Sequence, residues 1–251
     1  MTVHTEILLI AIAVSIACAI PGVFLVLRRM SMMADAITHT VFLGIVLAFF
    51  MTEDLNSPFL LVGATLVGVG TVWLTEMIHN TGLVNEDASI GIIFPLLFSI
   101  AIILVSLYSG NAHLDVDTAL LGEIAFAPFD RWIVNGTDLG PISLWISLGV
   151  ALINLILVML FYKELQLSTF DPLLAGLFSF MPALIHYVLM TMVSLTVVAS
   201  FQAVGAILVI GLMIGPAAIA YLWTDSVKAM LTSSIIIGII CAVVGTEVAF
   251  T

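Results

Sequence analysis

Charge is what this sequence has least of. Only 8% of its 251 residues are Asp, Glu, Lys or Arg, 63% are hydrophobic, and the mean hydropathy is +1.31. A water-soluble domain needs about a quarter of its residues charged, so a soluble globular protein is excluded. Positive charge is scarcest, with 5 Lys and Arg against 16 Asp and Glu, a net of −11. Nucleic-acid binding, which draws its affinity from basic patches, is excluded with it. The two cysteines, Cys18 and Cys241, sit in separate apolar runs and form neither a CxxC motif nor a disulfide framework; they read as small buried hydrophobes. No GxxxxGK is present, since the only lysines, Lys163 and Lys228, follow Tyr162 and Val227. HExxH and GxSxG are missing too, which removes the common metalloprotease and serine-hydrolase signatures. If this chain's work uses ATP, another chain hydrolyses it.

What is present is apolar sequence in long runs. A spanning helix takes about 20 such residues. Hydropathy places spans at 7–27, 35–51, 58–79, 89–108, 141–161, 177–200, 203–223 and 230–249. The expected fold class is therefore all-α, a polytopic membrane helical bundle of about eight transmembrane helices, with residues 1–251 as one transmembrane domain. Residues 1–6 carry no Lys or Arg, so the start lacks the charged region of a signal peptide, and the run after it reads as a complete first span. Arg28, Arg29, Lys163 and Lys228 all fall on one side if the spans alternate, and only Arg131 falls on the other. Basic residues collect on the cytoplasmic side, which puts both termini outside.

Two segments are too polar to face lipid. Residues 109–140 form an outer segment with a short amphipathic stretch near Thr118–Phe126, and 162–176 form an inner segment with a turn at Asp171-Pro172. From periodicity alone the inner segment has two readings: an interfacial helix resting on the membrane, or a dock for a partner protein. Gly215-Pro216 is expected to bend or interrupt the seventh span, because proline removes a backbone donor.

The sharpest constellation is Asp35 and His39. Four-residue spacing puts both on one helical face, one turn apart, with Thr38 beside them. A carboxylate oxygen and an imidazole nitrogen so placed can share a divalent cation. The rival reading has Asp35 capping the second span and His39 in the interface. His113, Asp115 and Asp117 form a second candidate cluster on the outer segment, either cation-attracting or simply solvated. Glu76, with His79 three residues on, reads as snorkelling to the inner interface, and His186 as hydrogen-bonding a neighbouring helix. A proton-coupled secondary transporter working through Asp35 and Glu76 without an ATPase is the alternative to an ATP-driven one, and a structural subunit with no pathway is a third reading.

Four stretches carry a family resemblance. Residues 27–44 (LRRMSMMADAITHTVFLG) resemble the second-span motif of permeases of ATP-binding-cassette importers for manganese, zinc and iron. HLDVDTALLGEIAFAPFDR, within 109–131, resembles the outer segment of the manganese-type members. Residues 161–173 (FYKELQLSTFDPL) resemble the family's cytoplasmic coupling segment, and 194–220 (SLTVVASFQAVGAILVIGLMIGPAAIA) its later spans. The resemblance implies a multi-pass permease of the bacterial plasma membrane. It would be paired with a second permease subunit, driven by cytoplasmic ATPases and fed by an extracellular metal-binding protein. It further implies that Asp35 and His39 bind the transported metal (manganese, zinc or iron), and that Glu164, Phe170, Asp171, Pro172 and Leu174 belong to the ATPase-coupling segment. Family members usually continue through further hydrophobic sequence beyond the point matching Thr251, which implies either a short member of the family or an incomplete C-terminus.

Overall fold

The computed structural model describes residues 3–52, 58–108, 124, 126–134, 137–178 and 181–250. In lipid the backbone must satisfy its own hydrogen bonds, and apolar runs therefore become helices. The elements are α1 (Val3–Leu27), α2 (Ser31–Thr52), α3 (Pro58–His79), α4 (Glu86–Tyr108), a 3₁₀ turn (Ala127–Phe129), β1 (Arg131–Val134), β2 (Thr137–Pro141), α5 (Ile142–Leu160), α6 (Tyr162–Phe170), α7 (Pro172–Leu177), α8 (Pro182–Trp223) and α9 (Val227–Ala249). Among the described residues, 8 helical stretches are long and apolar enough to cross a membrane. The all-α expectation needs one addition, because β1 and β2 pair antiparallel as a small hairpin in the outer segment.

α8 is two spans, Pro182–Phe201 and Ala203–Trp223. The break is at Gly205, whose φ of 76° and ψ of 168° lie outside the helical region and favour glycine. Ile185 and Leu189 cluster with Ile20 and Phe24, while Ala217 and Ala220 cluster with Val23. Both far ends of α8 thus lie beside the same end of α1, and the chain doubles back between them. Of the bend or interruption expected at Gly215-Pro216, the interruption is corrected: Pro216 sits inside continuous helix, and the non-helical backbone is at Gly205, eleven residues before it.

α1 is the buried axis. It packs on α5, α8 and α9, whereas α2 packs on α3, α4 and α8. With hydrophobicity no longer distinguishing helix from lipid, close approach of small residues holds such a bundle together. A methyl group at Gly22 would run into the carbonyl of Met213, and one at Gly44 into the backbone of Ala64. Buried polar groups tie helices directly: Asn154 Nδ2 donates to the Ala17 carbonyl at 3.1 Å and to Thr196 Oγ1 at 2.7 Å, joining α5 to α1 and α8.

The two ends of α1 are held in different ways. At its start, His4 meets Glu247 of α9 at 3.5 Å, and buried Glu6 receives both of its carboxylate contacts from Arg131 Nη2 at 3.0 Å. The only base on the outer side is therefore the partner of a buried acid. At the other end, α1 closes with Arg29 N–H to Val26 O at 3.1 Å and Met30 N–H to Leu25 O at 2.9 Å. That is a Schellman closure, and Arg29 occupies its left-handed position at φ 60°, where glycine is usual.

Candidate functional site

α2 begins at Ser31, so Asp35 lies in its second turn and does not cap it. The capping reading is thereby corrected. The helix stacks Asp35 and His39 one turn apart, with Oδ1 and Nε2 3.5 Å from each other. Thr38 Oγ1 turns away from the pair to donate to the Asp35 carbonyl at 2.6 Å. His39 rests against Phe94 and Phe98 of α4, with ring centroids 5.1 and 5.9 Å away, which fixes the imidazole plane. At a rise of about 1.5 Å per residue, His39 lies about 12 Å along α2 from its cytoplasmic end.

The side chains remain 41% (Asp35) and 24% (His39) accessible in the single chain. Asp35 is about 6 Å along α2 from its start, and an accessible acid within a membrane-spanning helix is costly unless it lines a pathway or an interface. Among the described residues no third His, Cys, Asp or Glu joins them to complete a metal-binding group. The pair is one carboxylate and one imidazole on a single helix face, fewer groups than a protein metal site ordinarily supplies. His113, Asp115 and Asp117 lie outside the described residues, as does most of the amphipathic stretch near Thr118–Phe126.

A second polar cluster sits at the cytoplasmic ends of four elements. Arg28, just past α1, donates from Nη2 to Ser168 Oγ at 2.8 Å and from Nε to Thr169 Oγ1 at 3.1 Å, both on α6. Its Nη1 lies 3.4 Å from His186 Nδ1 on α8. His186 Nε2 is in turn 2.8 Å from Glu76 Oε1 on α3, close enough for an ion pair but off the line of a hydrogen bond. The Tyr187 hydroxyl donates to Glu76 Oε2. Burial draws the Arg28 guanidinium down to about 10, which leaves it charged near neutral pH. Glu76 is thus held across helices, where a snorkelling acid was expected. The cluster was out of reach of sequence reasoning because its members are up to 158 positions apart; the one available signal was an ionisable residue at each of several span ends.

The inner segment folds as α6 and α7, broken at Asp171-Pro172 as the turn signal implied. Asp171 Oδ1 accepts from Leu174 N–H at 2.9 Å and caps α7. Leu165 is fully buried against the bundle, clustered with Ile20, Phe24 and Leu189. Phe170, Leu173, Leu177 and Phe178 are exposed, Leu173 by 85%.

Eight helical stretches long and apolar enough to cross a membrane, with an accessible Asp–His pair on one of them, mark the chain as a multi-pass membrane protein. The model of the ABC 3 transport family matches residues 2–251, and the chain belongs to that family. It is 44% identical over 245 residues to the manganese transport system membrane protein MntD of Bacillus subtilis, covering 98% of this chain and 83% of that one. It is 52% identical over 212 residues to the zinc transport system membrane protein TroD of Treponema pallidum, covering 84% of this chain but 57% of that one. Among solved structures, PsaBC from Streptococcus pneumoniae in complex with Fab superposes with a TM-score of 0.81 at 29% identity, covering 100% of this chain and 84% of that one. A metal-chelate type ABC transporter in an inward-facing conformation shares the fold, with a TM-score of 0.70 at 16% identity over 98% of this chain and 76% of that one. The protein is a multi-pass permease of the bacterial plasma membrane. Family membership favours an ATP-linked transporter over the proton-coupled alternative.

Proposed function

We propose that this permease imports a divalent transition metal, with manganese favoured and zinc or iron within the same ligand chemistry. The observation that carries the reading is the Asp35–His39 pair, 3.5 Å apart on one face of α2 and open at membrane depth. A hard carboxylate with a borderline imidazole suits all three ions; the likeness to the Bacillus manganese protein over 98% of this chain tips the choice. The metal is cargo, replacing part of its hydration shell at the pair as it passes. Two protein ligands are too few to hold it, so a second permease subunit completes the site with its own pair. An extracellular metal-binding protein delivers the ion to the outer face. Cytoplasmic ATPases supply the energy, docking at the segment that includes Glu164, Phe170, Asp171, Pro172 and Leu174. Within it Asp171 and Pro172 shape the break between α6 and α7, while Phe170 and Leu174 present apolar surface. The whole of 1–251 acts as one transmembrane unit and makes or breaks no covalent bond itself.

The test is uptake of manganese, zinc and iron, ion by ion, in cells carrying Asp35→Ala or His39→Ala. Both variants should reach the membrane at normal abundance, since Asp35 is widely accessible and the His39 ring, though it rests on Phe94 and Phe98, is itself partly exposed, and both should lose uptake of the cargo ion. Normal uptake in both would refute the site.

A further inference from the structure

The only two lysines of the chain, Lys163 at the start of α6 and Lys228 at the start of α9, line one groove. It has a volume of about 780 Å³ and runs between α1, α5 and α9, with Ile20, Leu155, Val158 and Ile235 among its walls. Ile235 stands eight residues into α9 and Ile20 seven residues before the end of α1, so the walls rise about 10–12 Å from the cytoplasmic ends of these helices. The groove is apolar where it enters the inner leaflet and basic where it leaves.

Neither ammonium is neutralised. Lys228 Nζ lies 5.6 Å from the centroid of the Tyr162 ring, a cation–π contact that leaves its charge available. Glu164 is on the same rim and Asp225 borders the adjoining cytoplasmic cleft. Among the described residues neither acid is close enough to either lysine to form an ion pair. Arg131 is spent on Glu6 and Arg28 on Ser168 and Thr169, while Arg29 is exposed just past α1 and is not among the residues that line the groove.

We propose that this groove is a binding site for an anionic phospholipid of the inner leaflet. An acyl chain would lie along Ile20, Leu155, Val158 and Ile235, with the headgroup phosphodiester between Lys163 and Lys228. Charge complementarity selects this occupant. A zwitterionic lipid brings its own quaternary ammonium beside the phosphodiester and adds no net counter-charge to the two lysines, and a free phosphate would leave the apolar walls unfilled. Basic pockets between helices on the cytoplasmic side are suited to such headgroups. The site depends on the membrane placement of the family and not on which ion is carried.

The experiment takes the full chain, purified in detergent with equal amounts of phosphatidylglycerol and phosphatidylcholine of matched chains, and counts retained lipids by native mass spectrometry. Phosphatidylglycerol should be retained over phosphatidylcholine by about tenfold. Lys163→Gln with Lys228→Gln should bring that ratio close to one, and Lys163→Arg with Lys228→Arg should keep it, which separates charge from folding. Leu155→Trp, which narrows the groove, should reduce retention of both lipids. Glycerol phosphate at the same concentration should displace nothing. Equal retention of the two lipids by the native chain, an unchanged ratio in the double Gln variant, or displacement by glycerol phosphate would each overturn the site. No metal or ATPase enters the measurement, so the result stands apart from the transport reading.

Discussion

Arg28 Nη2 donates to Ser168 Oγ at 2.8 Å, fastening the end of α1 to α6 across 140 positions of sequence. Three residues after Arg28 helix α2 begins, and Asp35 follows in its second turn. The same guanidinium approaches His186, which meets Glu76. One half-buried side chain thus joins the segment proposed to meet the ATPase to the entry of α2.

That arrangement predicts that Arg28→Ala uncouples the machine. Metal binding at Asp35 and His39 should persist, because neither residue touches Arg28. Transport should fall by about tenfold or more, the scale of losing a charged hydrogen bond or two. Lysine should rescue poorly, since one ammonium cannot reproduce the guanidinium fork. Side-by-side metal binding and uptake in Arg28→Ala and Arg28→Lys decide the matter, and full uptake in Arg28→Ala would remove the link.

Replacing Phe170 and Leu174 with Asp should abolish ATPase association while the isolated permease still binds metal. Both are exposed at the cytoplasmic end, so the substitution spares the core. An unpaired charge buried at the interface would oppose docking. Co-purification of the ATPase and metal binding, measured on the same variant, provide the check; undiminished association would return the segment to an interfacial role.

Sidedness predicts opposite labelling of two engineered thiols. In a Cys241→Ser background, Asp138→Cys in the outer hairpin should react with an impermeant reagent added to sealed cells. Glu164→Cys should react only after the membrane is opened. Labelling of Glu164→Cys from outside would invert the topology.

The Glu6–Arg131 pair should behave as a buried acid dependent on its base. Arg131→Ala strands a buried carboxylate and should cost about 2 kcal/mol of stability, tempered by the exposure of the arginine. Arg131→Ala with Glu6→Gln should recover most of the loss. Thermal unfolding of the single and double variants reads the coupling, and additive losses would show that the contact contributes nothing.

Composition and spacing determined a good deal by themselves. The eight spans, their alternation, the break at Asp171-Pro172 and the shared face of Asp35 and His39 follow from local physics: lipid demands apolar helices of fixed length, basic residues stay inside, and a four-residue step returns to the same side of a helix. The long-range facts were decided by tertiary structure. Whether Asp35 caps α2 or projects from it depends on a start point that hydropathy placed four residues late. The reversal rests on Gly205, which reads like any other glycine in a span until its φ of 76° is known. Leu165 and Phe170 look alike in sequence, yet one is buried against α1 and α8 and the other is exposed. Arg28, His186 and Glu76, or Lys163 and Lys228, meet because helices distant in sequence end side by side at one membrane face. Periodicity reports the face of one helix; which helix lies against that face is set by packing, and packing exists only in the folded bundle.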